Sequence, residues 1–73
     1  MNKAQLNELL EKIKREEQAD RLIEGIREGY YVAIAVGDSE IKIENENHLN
    51  TIKKILTEIS EEGKQALEKA RLE

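Results

Sequence analysis

Few residues in this 73-residue chain are of a type that does covalent chemistry. There is no Cys and a single His, His48. Thiolate and His-rich metal sites are therefore excluded. Ser39 and Ser60 lie in no nucleophile motif, and no Gly-rich phosphate loop is present. Glu16-Glu17 and Glu61-Glu62 are adjacent pairs, which point about 100° apart on a helix and cage nothing. The sequence is thus read as non-enzymatic, with no catalytic residue, metal ligand or cofactor assigned.

Binding chemistry has more support. Tyr30 and Tyr31 are the only aromatics. In an extended segment they point to opposite faces, and Tyr31 shares its face with Ala33 and Ala35. Arg21 and Arg27 precede it. An aromatic wall beside a guanidinium suits a nucleotide or another small anion. Tyr31, Arg21 and Arg27 are the candidate ligand residues. The simpler expectation is packing for Tyr30 and a half-exposed edge for Tyr31.

The net charge is −4, from 12 bases and 16 acids. The bases Lys3, Lys12, Lys14 and Arg15 cluster near the start, and Asp38, Glu40, Glu44 and Glu46 form an acidic stretch. An acidic balance disfavours nucleic-acid binding, which needs a basic footprint. The acidic stretch offers a different role, as a mimic of phosphate spacing in a basic channel. No apolar run approaches the ~20 residues of a membrane span. No signal-peptide pattern is visible, and a cytoplasmic location is expected. The closing Leu72-Glu73 fits a cloning remnant, a native end or a truncation point equally.

These residues need elements to position them. From about Asn2 to Glu28 the chain is rich in helix formers and lacks Pro. Leu6, Leu9, Leu10 and Ile13 make one apolar stripe; Ala19, Leu22, Ile23 and Ile26 make another, about 140° round the helix. Either the helix breaks near residue 16, or one helix shows two faces to two partners. Gly29 is placed to cap it.

Residues 30–36 are uncharged and rich in β-formers, and residues 39–44 alternate strictly. Gly37-Asp38 between them reads as a type II′ turn. That turn sets Ile34 opposite Ile41 and Val32 opposite Ile43, with all large aliphatics on one face. Asn45 or Asn47 then caps a long helix whose stripe runs Leu49, Ile52, Leu56, Ile59, Gly63, Ala66, Ala70. That helix is expected to cover the hairpin and overhang it, with Leu6–Ile13 meeting the overhang in the same chain or a second copy.

The expected fold class is α+β: one helix–hairpin–helix domain over residues 1–73, with the sheet extended by oligomerisation. A chain under ~70–80 residues draws no more than ~3–5 kcal/mol from one core and needs a staple. Without Cys or metal, self-association is the staple left. A lone hairpin also leaves an open edge on each strand. Leu6, Leu9, Leu10, Ile13, Tyr31, Ala33 and Ala35 are the expected interface.

The leading expectation is a small homo-oligomeric binding protein. By analogy of size and class, it would be an inhibitor of the kind phages and mobile elements carry. It would sequester a small anion at a protomer interface or block a partner protein. The alternatives are an assembly module working through its helix stripe, and an acidic nucleic-acid mimic.

Overall fold

The computed structural model describes residues 1–72, so Glu73 of the closing dipeptide lies outside the described residues. The order is α1 (Lys3–Arg27), β1 (Ala33–Val36), β2 (Ser39–Lys42) and α2 (Glu46–Leu72). The fold is α+β.

α1 begins at a reciprocal cap. Asn2 accepts a hydrogen bond from the Gln5 backbone N–H at 2.8 Å, and Gln5 Oε1 accepts one from Asn2 N–H at 3.0 Å. The helix then runs unbroken through residue 16. It ends in a Schellman motif: Tyr30 N–H bonds Gly25 C=O at 3.1 Å, and Gly29 N–H bonds Ile26 C=O at 3.1 Å. This closure requires the left-handed φ of +84° that Gly29 adopts.

The two helices pack side by side as an antiparallel pair. α1 presents one continuous stripe, Leu9, Ile13, Glu16, Ala19, Ile23 and Ile26, all at least partly shielded. The expected division into two faces is therefore replaced by a single face. Its middle is small and polar, which interrupts the hydropathy pattern. There Ser60 of α2, 2% exposed, donates to Asp20 Oδ1 at 2.7 Å. One turn on, Gly63 lies so close to α1 that a Cβ would stand 2.6 Å from Glu16 Cβ and 2.7 Å from Lys12 O. Of the Leu6–Ile13 stripe, Leu9 and Ile13 are partly shielded, and Leu9 lines a groove with Ala66 and Ala70 of the same chain. Leu6 and Leu10 remain exposed.

The hairpin has the expected register, with Ala33 opposite Lys42, Ile34 opposite Ile41, Ala35 opposite Glu40 and Val36 opposite Ser39. Gly37 has φ +56° and Asp38 is not left-handed, which defines type II′ rather than I′. Cover by α2 does not occur. The paired strands come within 8 Å, Cα to Cα, of neither helix. Each strand is four residues long, and the hairpin stands clear of the helices because they spend their apolar faces on each other. Only its foot, Val32, Ala33 and Ile43, is partly shielded. Ile34, Val36 and Ile41 are 50%, 77% and 64% exposed.

The resulting surface is large. A compact monomer of 8.4 kDa exposes about 4,600 Å², whereas this chain exposes 6140 Å². Its radius of gyration is 14.9 Å, against about 11 Å for a compact chain of this length. Among the described residues, Ala19 at 2% exposed is the one buried hydrophobic side chain.

Candidate functional site

The chain reversal at Gly29 brings the end of α1, the foot of the hairpin and the first turns of α2 together around a cleft of about 510 Å³. Leu22 and Ile26 of α1 and Ile52 and Leu56 of α2 make its apolar walls. Tyr30, Tyr31 and Ala33 close it from the hairpin side. Arg21, Glu24 and Glu28 stand at its polar rim.

Two of the three candidate ligand residues, Arg21 and Tyr31, thus share one cleft. Arg27 does not join them. It lies about 120° round the helix from Arg21, and its guanidinium sits 3.9 Å from Glu24 in an exposed pair. The distance along the sequence misleads here: Arg27 is nearer Tyr31 in number, but Arg21 is on the face that the reversal folds over.

Tyr31 is 64% exposed. The Lys42 ammonium lies 5.6 Å from its ring centroid, a cation–π contact. Lys42 also bonds Glu44 at 2.9 Å. That hydrogen bond, reinforced by the opposite charge, raises the Lys42 pKa above its ordinary value and lowers that of Glu44. Lys42 was legible in the register, since it faces Ala33 on the Tyr31 side of the hairpin. In the sequence Ile52 and Leu56 belong to the helix stripe, and no local signal marks them as cleft walls.

With one guanidinium against two rim carboxylates, the cleft is electrostatically closer to an apolar docking groove than to an anion trap. Tyr30 packs on Gly25, where a Cβ would stand 3.4 Å from its Cδ2, but the ring is mostly exposed rather than packed as expected. His48 lies exposed in the first turn of α2, and Ser60 is committed to Asp20. Among the described residues, no three His, Asp or Glu side chains converge on a metal position. None of the described helices is long and apolar enough to cross a membrane.

Comparison with protein-family models, curated proteins and solved structures finds no match to this chain.

Proposed function

We propose that this chain is a non-catalytic binding protein that works as a homo-oligomer in the cytoplasm. One observation carries the reading: the single chain exposes about 1,500 Å² more than a compact monomer of its mass. A standard interface removes about 800 Å² from each partner, and obligate homodimers remove more. The excess includes Ile34, Val36 and Ile41 on a hairpin that no helix supports. A two-stranded hairpin is marginal in water by itself. Light scattering after size exclusion, at two concentrations and two salt levels, tests this. The expected mass is a multiple of 8.4 kDa that persists at high salt, because apolar burial is not screened. A mass of 8.4 kDa throughout sinks the reading.

A small-ligand role is a second reading, favoured by the meeting of Arg21 and Tyr31 in one cleft. The volume of about 510 Å³ suits a small molecule. Glu24 and Glu28 oppose an anion there. A nucleotide panel followed by thermal shift decides it, and no shift with any member removes it.

A further inference from the structure

The backbone of β1 carries an open hydrogen-bonding edge. Ile43 N–H donates to Val32 C=O at 2.8 Å. Combined with Ala33 opposite Lys42 and Ile34 opposite Ile41, antiparallel alternation makes Val32, Ile34 and Val36 the residues bonded to β2. The N–H and C=O groups of Tyr31, Ala33 and Ala35 therefore point outward along the free edge. From Gly29 to Gly37 this edge carries no charge and no Pro. The opposite edge is guarded: Glu40, Lys42 and Glu44 lie along β2 and its exit.

We infer that β1 pairs antiparallel with β1 of a second copy across a two-fold axis, giving a four-stranded sheet. The inference rests on the homo-oligomer reading and adds the surface and register. Only odd-numbered residues of β1 offer outward groups, so every allowed register pairs odd with odd. The aliphatic faces of both copies then fall on the same side of the sheet, and the Ala faces on the other. A two-fold at Ala33 sets Tyr31 against Ala35 of the second copy. The large ring then lies over a small residue at both ends, and no like charges face each other along β1. A second copy fits better than a foreign strand because the large–small–small order of Tyr31, Ala33 and Ala35 complements its own reverse.

The test reads amide hydrogen exchange residue by residue, beside the solution mass. In the single chain the Ala33 and Ala35 amides have no partner and exchange quickly. In the paired sheet they exchange as slowly as Ile34 and Val36. Ala33→Pro removes an outward N–H while sparing the hairpin's own ladder, and is expected to yield the monomer mass. Glu40→Pro makes the same change on the β2 edge and leaves the dimer intact. A dimer in which Ala33 and Ala35 exchange quickly overturns the edge pairing and leaves the homo-oligomer reading standing. A monomer at every concentration overturns both. Exchange in the unaltered chain decides the matter even where Ala33→Pro disturbs folding.

Discussion

Two glycines inside helices have opposite meanings, and only one could be read from the sequence. Gly63 belongs to the stripe of small residues that permits close helix approach, and the structure gives the reason in backbone terms: Lys12 O would lie 2.7 Å from an added Cβ. Gly63→Ala must push the helices apart and is expected to destabilise by about 1–3 kcal/mol. Gly25 has no comparable constraint. Its nearest neighbour is a ring carbon of Tyr30 at 3.4 Å, which a methyl group meets at ordinary contact. Gly25→Ala removes the entropic cost of a helical glycine and is expected to stabilise by up to about 1 kcal/mol. Urea denaturation of both variants at one protein concentration checks the opposite signs. If both lower the midpoint, the close-approach account of Gly63 loses its contrast. The Arg21–Tyr31 meeting was likewise legible only as types of residue. Which arginine faces the cleft depends on the angle at which the Schellman turn reverses the chain, and local sequence does not encode that angle.

Elements were legible where one physical signal repeated without interruption. The hairpin has period-two alternation and a turn whose glycine fits one turn type, so its register followed. The α2 stripe has regular 3–4 spacing, and all its members are shielded, along with Ser60 and flanking Leu67, while flanking Ile55 is exposed. Hydropathy does not show the single α1 face because its middle contains Glu16 and Asp20, whose contribution is a close approach to Gly63 and a bond from Ser60 rather than apolar area. Hydropathy counts those positions as gaps. At the start of α2 the sequence left Asn45 and Asn47 equal, and the structure separates them. Asn45 Oδ1 accepts from Asn47 N–H at 2.8 Å, and His48 N–H lies 3.4 Å from it. Asn45→Ala is expected to cost about 1 kcal/mol. Asn47→Ala, inside the first turn, is expected to stay within about 0.5 kcal/mol of the parent. Equal losses in thermal or urea unfolding would assign the cap wrongly.

At the scale of the whole molecule, a chain this short has little apolar area to bury, and the structure gives the shortfall a size. An unfolded chain of this mass exposes about 12,000 Å², so folding to 6140 Å² buries only about half of it. Small domains that fold alone bury about 60%. The exposed ion pairs do not close that gap: Lys42–Glu44 and Arg27–Glu24 are solvated and weak. The homo-oligomer reading then predicts that stability depends on how much protein is present. If the native unit is a dimer, unfolding releases two chains, and a tenfold rise in concentration adds about 1.4 kcal/mol per dimer. Divided by the unfolding entropy of two such chains, this raises Tm by about 5 °C. A monomer shows no shift at all. Calorimetry at two concentrations about tenfold apart, repeated at high salt, therefore measures the missing staple without any substitution. A Tm independent of concentration would require this helix pair, with its small polar middle and unsupported hairpin, to hold itself together unaided.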